Sequence, residues 1–243
     1  VHMAKADVLK QLLTGPFAEI PIRWGLTGTI PKEEYEQASL VASLGAVINK
    51  LSASELQNKG VLANCHVNVI QTQDVQSFRN YQEELTYLTT NNERLQFLSN
   101  LVEEIRSGGN TLILVDRIKS GELLQELIPG SVFIQGKTKM EERQEEYDEV
   151  ATEQYKVIIA TYGVAAVGIN LPRIFNLALL EPGKSFVRVI QSIGRGIRKA
   201  EDKDHVQIWD ITSACKFSKR HLTTRKKFYK EANYPYTINK VNL

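Results

Sequence analysis

From Thr111 onward the chain alternates short, unbroken apolar runs with stretches of helical spacing. TLILV (Thr111–Val115), SVFIQ (Ser131–Gln135), KVIIAT (Lys156–Thr161), IFNLALLE (Ile174–Glu181) and HVQIWDI (His205–Ile211) predict five strands. Between them lie a helix running to Leu127, an acidic helix over Met140–Ala151 and a helix carrying Phe186 to Arg198; Pro129-Gly130 marks a turn. Strands apolar on every residue, separated by helices, predict a parallel sheet covered on both faces. Ligands on such sheets sit in loops beyond the carboxyl ends of the strands. Functional residues are therefore expected just after Val115, Gln135, Thr161 and Glu181.

The first half is less regular. Ala4–Leu13 has helical spacing and stops at Thr14-Gly15-Pro16. Ile20–Leu26 reads as a short strand, and Pro31 with Glu33, Glu34 and Glu36 opens a helical stretch toward Leu44. Asn49–Gly60 is polar and reads as a connection, whereas Val61–Ile70 alternates like a strand. Arg79–Arg106 is a long helical region broken near Thr89-Thr90-Asn91. Trp24 and Trp209 lie in strand-like runs and are expected in the core.

Composition narrows the class. With 42% hydrophobic and 24% charged residues the chain is an ordinary globular protein, long enough for one large or two modest domains. No apolar run approaches a membrane span, so no membrane partner and a cytoplasmic location are expected. Cys65 and Cys215 have no metal-ligand spacing and read as buried thiols in a reducing compartment; no metal site is expected in this chain. The net charge of +2 is unevenly spread. From Lys216 to the end, eight Lys or Arg face Glu231 alone, +7 in all, which leaves about −5 for the rest. A basic tail on a mildly acidic body suits an anionic partner such as nucleic acid, although a solvated helix face has the same composition.

Two GK[ST] triplets, Gly136–Thr138 and Gly183–Ser185, lack the glycine five residues upstream that a phosphate loop needs; Ser131 and Ala178 stand there. Other segments carry more. LTGT (Leu26–Thr29), TLILVD (Thr111–Asp116), ATYGVAAVGINLP (Ala160–Pro172) and QSIGRGIR (Gln191–Arg198) resemble, in order, motifs III, IV, V and VI of superfamily 2 helicases, and IQGKTKMEER (Ile134–Arg143) resembles that family's I-x-G-x-T-x-x-x-E-R segment. The likeness reaches nearly the whole length and is nearest to the UvsW-type phage DNA helicases, with the excision-repair helicases of the XPB type as the competitor. Val1-His2 reads as the end of a D-E-V-H box, with a vector remnant as the alternative.

The resemblance implies a RecA-like α/β fold and a division of labour. Residues 1–50 would be the carboxyl-terminal remnant of a first RecA-like domain, 51–90 a connecting segment, 91–215 the second RecA-like domain, and 216–243 the basic tail. ATP and Mg2+ would be held by the amino-terminal RecA-like domain of the intact enzyme, so this chain alone is expected to be inactive. Arg198 would be the arginine finger on the γ-phosphate, with Arg195 beside it and Gln191 orienting water or the phosphate contacts; Arg195 and Arg198, three apart, share a helix face. A planar guanidinium suits bidentate phosphate contact. The competing reading pairs these arginines with Glu181 or Asp210. Gly168 and Gly194 would let backbone approach the nucleotide, and Asn170, where many relatives carry Asp, would bond the ribose. Thr161, Arg117, Lys119, Lys226 and Lys227 would contact DNA phosphates without reading sequence. Thr27, Gly28 and Thr29 would couple the ATP state to grip, or simply cap the next helix. Arg143 would brace its own domain through a carboxylate. The implied activity is ATP-dependent helicase or translocase action on branched or duplex DNA in recombination, repair or fork processing. The alternatives are a non-catalytic nucleic-acid-binding module of RecA-like shape and an RNA helicase of the same superfamily.

Overall fold

The computed structural model describes residues 7–26, 34–51, 55, 58–59, 64–167, 173–183 and 205–243. The chain divides into two compact units, Val1–Leu51 and Ser52–Leu243.

In the first unit, α1 (Asp7–Thr14) and α2 (Glu34–Leu44) are tied by Arg23, which donates to the carbonyl oxygens of Leu13 (2.7 Å) and Ser43 (3.1 Å). A cation there meets the orphan carbonyls and the negative dipole end of both helices. The expected strand over Ile20–Leu26 does not form. An isolated apolar run has no ladder to join, and no strand of this unit lies beside it among the described residues. Trp24 is accordingly 86% exposed, which corrects its placement in the core, and Ile22, Leu26 and Ile48 are exposed with it.

The second unit is built on a seven-stranded, wholly parallel sheet. Its strands are β1 (Asn64–Thr72), β2 (Thr111–Val115), β3 (Val132–Ile134), β4 (Val157–Thr161), β5 (Asn176–Leu180), β6 (His205–Ser213) and β7 (Tyr236–Val241), in the order β3-β4-β2-β5-β6-β1-β7. Every residue of β2 and β5 is buried. Alternate side chains enter opposite cores, as the two-residue period of a strand requires. Leu112, Leu114, Ile158, Ala160, Leu177 and Leu179 lie in one core, which is closed by α6 (Met140–Thr152), α7 (Tyr162–Val167) and α8 (Lys216–Glu231). Ile113, Val115, Val157, Ile159 and Ala178 lie in the other, under α4 (Asn92–Arg106) and α5 (Ile118–Leu127). Gly121 of α5 lets that helix settle on β3: a Cβ there would stand 2.3 Å from the Phe133 ring.

The expected break at Thr89-Thr90-Asn91 is a junction of two helices, α3 (Tyr81–Thr90) and α4. The Asn91 side chain accepts from the Arg94 amide at 3.0 Å, capping α4, while its own N–H closes α3 on the Tyr87 carbonyl. Residues 51–90 thus supply α3 and β1, the last strand but one, next to the β7 edge. The stretch 216–243 holds α8 followed by the edge strand β7. Among the described residues, no helix is long and apolar enough to cross a membrane.

Candidate functional site

The carboxyl ends of the strands converge with α3 and the start of α8 on one rim, and a network of buried polar groups lies beneath it. Asp74, just past β1, accepts from Thr72 Oγ1 (2.5 Å), Ser213 Oγ (2.6 Å), Tyr87 Oη (3.4 Å) and Arg94 Nη1 (3.4 Å). Arg94, only 1% exposed, also donates to Glu181 Oε1 at 2.5 Å and to Thr72 Oγ1. Glu181 stands directly after β5 with φ +44, a left-handed backbone that a side chain adopts at a cost, and its amide bonds to the Ile211 carbonyl. Burial raises its carboxyl above the usual range, and the opposing pull of Arg94, Arg225 and the Ser218 hydroxyl does not cancel this.

Ser218 links Glu181 to a third acid. Its hydroxyl lies 2.8 Å from Glu84 Oε1 and 3.1 Å from Glu181 Oε2. Fully buried Glu84, from α3, also accepts from the backbone amides of Phe217 (2.9 Å) and Ser218 (2.6 Å). It therefore caps the first turn of α8 from another helix, where the Cys215 side chain makes no capping bond. Further along α8, Arg225 grips Asp210 of β6 through two 2.8 Å bonds, and Tyr229 donates to the same carboxylate at 2.6 Å. Burial pulls the guanidinium down, but Asp210 more than offsets this and holds Arg225 charged.

Glu181 and Asp210, the acids of the competing reading, are thus paired with Arg94 and Arg225. Arg195, Arg198, Gln191, Gly194, Gly168, Asn170, Thr27, Gly28 and Thr29 lie outside the described residues, as do Val1-His2 and the expected helix over Phe186–Arg198.

The described candidates take distinct positions. Thr161 ends β4, and its hydroxyl accepts the Val164 amide at 3.4 Å, starting α7; Val164 and Ala165 pack in the core. Arg117 and Lys119 follow β2. Lys119 is exposed, whereas Arg117 bonds to Gln82 of α3 and pairs with Asp116 at 3.4 Å while staying 43% exposed. Lys227 is exposed on α8 and Lys226 is half-buried beside it. Tyr81 brings α3 and α8 together: its ring meets His221 edge-on at 4.7 Å and Phe217 at 6.4 Å. Burial first, then Asp116 and Glu181, push its phenol up to about 12. Arg143 braces its domain through the carbonyls of Thr138, Gln135 and Gly136 rather than through a carboxylate. That arrangement turns carbonyls inward over Gln135–Thr138, the reverse of an amide cradle for phosphate. Trp209 is half-buried, its indole N–H 3.4 Å from Asn176 Oδ1.

Periodicity missed the buried acids and arginines: Glu84, Arg94 and Arg225 sit at polar positions of helices, Asp74 and Glu181 just past strand ends, and Asp210 is a lone acid within β6. The one local signal is an isolated glutamate closing an apolar strand, at Glu181.

Comparison with known proteins follows the same lines. Residues 93–200 match the helicase conserved C-terminal domain. The chain is 22% identical over 244 residues to the ATP-dependent DNA helicase UvsW of Enterobacteria phage T4, covering 96% of itself and 48% of that protein. It is 25% identical over 232 residues to putative helicase 22 of Sulfolobus islandicus filamentous virus, covering 86% of itself and 41% of that protein. The chain spans about half the length of the curated relatives it matches. The crystal structure of T4 UvsW superposes with a TM-score of 0.65 at 18% identity, covering 86% of this chain and 46% of that one. A fragment of a putative HsdR subunit of a type I restriction enzyme from Vibrio vulnificus superposes at 0.67 and 15%, covering 88% and 43%. The parallel sheet is the RecA-like fold of these proteins. Residues 93–200 thus match the helicase conserved C-terminal domain, and the chain is similar over most of its length to about half of the UvsW helicase.

Proposed function

We propose that this chain is the carboxyl-terminal motor half of an ATP-dependent DNA helicase or translocase acting on branched or duplex DNA. Residues 1–50 are then the end of a first RecA-like domain, and 91–215 the core of the second. ATP is the substrate, held with Mg2+ by the amino-terminal domain. Arg198 meets the γ-phosphate, Arg195 supports it, and Gln191 orients water. Gly168, Asn170 and Gly194 line the nucleotide. Thr161, Arg117, Lys119, Lys226 and Lys227 hold the DNA backbone, and Thr27 to Thr29 relay the nucleotide state.

The observation that carries the reading is that Arg94 and Arg225 already satisfy Glu181 and Asp210. Arg225 neutralises Asp210 one to one, and Arg94 is shared by Glu181 and Asp74. With both acids of the competing reading already holding an arginine, an external anion is the reading we favour for Arg195 and Arg198. Supplying an arginine finger is worth roughly 10³–10⁵ in rate in related phosphoryl transfers. The test joins this chain to an amino-terminal half carrying a phosphate loop and an Asp-Glu box. Turnover of ATP should appear only in the joined protein, and Arg198→Ala should abolish it with modest loss of DNA binding. Substantial turnover by the 243-residue chain alone, lost on Arg198→Ala, would overturn the reading.

A further inference from the structure

Helix α8 carries seven cations and one acid, Glu231, in 16 residues. Its inner face is Ser218, His221, Leu222, Arg225 and Tyr229, and Arg225 is consumed there by Asp210. Lys216, Lys219, Arg220, Lys226, Lys227 and Lys230 remain on the outer and flanking positions. Among the described residues none of the six is joined to a carboxylate, although Lys216 lies over the Phe217 ring at 5.5 Å. From Lys216 to Lys230 the cations span about 21 Å of helix axis.

A merely solvated face would not be built this way. Lys216 with Arg220, and Lys226 with Lys230, are like charges one turn apart, which costs helix stability. Lys216 and Lys219 in the first turn also oppose the helix dipole. The fold compensates with a buried carboxylate, Glu84, at that same helix end. It also bolts the inner face to the sheet through Asp210, so the cations stand on a rigid element. α6, on the same sheet face, keeps its charge acidic: Glu141, Glu142, Glu145, Asp148 and Glu149 are exposed.

The stripe begins on the rim already described. Arg117 bonds to Gln82, and the adjacent Tyr81 packs on Phe217 and His221 of α8. Lys216 and Arg220 neighbour Phe217 and His221 in sequence, so they stand at the rim end of α8, and the other cations follow along the helix. The occupant is anionic and stiff. None of the aromatic side chains of α8 is exposed, so there is no platform for stacking unpaired bases. No large apolar side chain of α8 is exposed either, so the face lacks the apolar contact of a membrane-surface helix.

From this we infer that the outer face of α8 is a track for the backbone of a DNA duplex arm, with Lys216, Lys219, Arg220 and Lys230 as phosphate contacts alongside Lys226 and Lys227. The inference deepens the DNA-motor reading and rests on it. Binding of the 243-residue chain to a fluorescent duplex of about 20 base pairs and to one of its strands, titrated from about 50 to 200 mM salt, tests it. Replacing Lys216, Lys219, Arg220 and Lys230 with Gln should flatten the log–log salt dependence on duplex by about 3.6, near 0.9 per lost contact, and weaken low-salt binding more than about tenfold. The charge-keeping variant Lys216→Arg, Lys219→Arg, Lys230→Arg should retain the slope, and circular dichroism should show both variants folded. A duplex slope that moves by less than about 1, or an equal loss of affinity for the single strand, overturns the track. The Arg198 test reads turnover and this one reads salt dependence, so either can fail alone.

Discussion

Arg94 is the residue on which the rim depends. It is the one guanidinium shared by Asp74 and Glu181, and all three side chains are at most 5% exposed. Arg94→Met would leave two buried carboxylates without a cation, and removing one partner of a buried pair costs about 3–5 kcal/mol. A loss of that size in denaturant unfolding is expected, against well under 1 kcal/mol for Arg106→Met, whose pair with Glu103 is half-exposed. Glu181 adds a pH dependence. Its folded-state carboxyl is raised, mainly by burial, so the folded state binds the proton more tightly than the unfolded chain does. The associated stability is full below the ordinary carboxylate value and is lost as pH climbs through the raised one. Wild type should therefore lose stability relative to Glu181→Gln between acid and neutral pH. A difference between the two proteins that stays flat across that interval would contradict the assignment.

At the scale of elements, α8 shows how a helix can be made from parts that disfavour it. Its first turn has no acid, its N-cap residue offers no side-chain acceptor, and its cap is a glutamate more than a hundred residues upstream in sequence. Glu84→Ala should cost about 2 kcal/mol, the upper end for a lost cap. Amide exchange at Phe217 and Ser218 should accelerate while β2 and β4 stay protected. The same element marks where reading the chain succeeds and where it stops. Runs such as TLILV and NLALL are apolar at every position because both sheet faces are covered, so β2 and β5 are legible directly. β7 is an edge strand with four of its six residues exposed, so its alternation is faint. IPIRWGL has the composition of a strand but no neighbour in its own unit, and composition alone does not make a ladder. The rim was half legible: Thr161, Arg117 and Lys119 stand at strand ends as parallel topology requires, but the long-range pairing of Glu84, Arg94, Glu181 and Asp210 leaves no local pattern.

For the whole molecule, most of the large apolar side chains described in Val1–Leu51 are exposed, although Leu40 is buried. With only two tryptophans in the chain, Trp209→Phe isolates Trp24. Its emission should be that of a solvated indole in the 243-residue protein and should shift to the blue when an amino-terminal half is joined. An unshifted spectrum would deny that Ile22, Trp24 and Leu26 are covered by that half. The sheet itself has a consequence for synthesis. β1 is made first, yet it lies between β6 and β7, made last: Asn64 pairs with His205 and Val67 with Tyr236. As the nascent chain leaves the ribosome, β1 has two bare edges until β6 emerges and one until β7 does, and such edges invite pairing with other chains. Joining them late, over such sequence distance, also makes closure slow. Stopping translation anywhere before β7 should therefore yield a product that aggregates or engages chaperones, however complete the rest of its sheet.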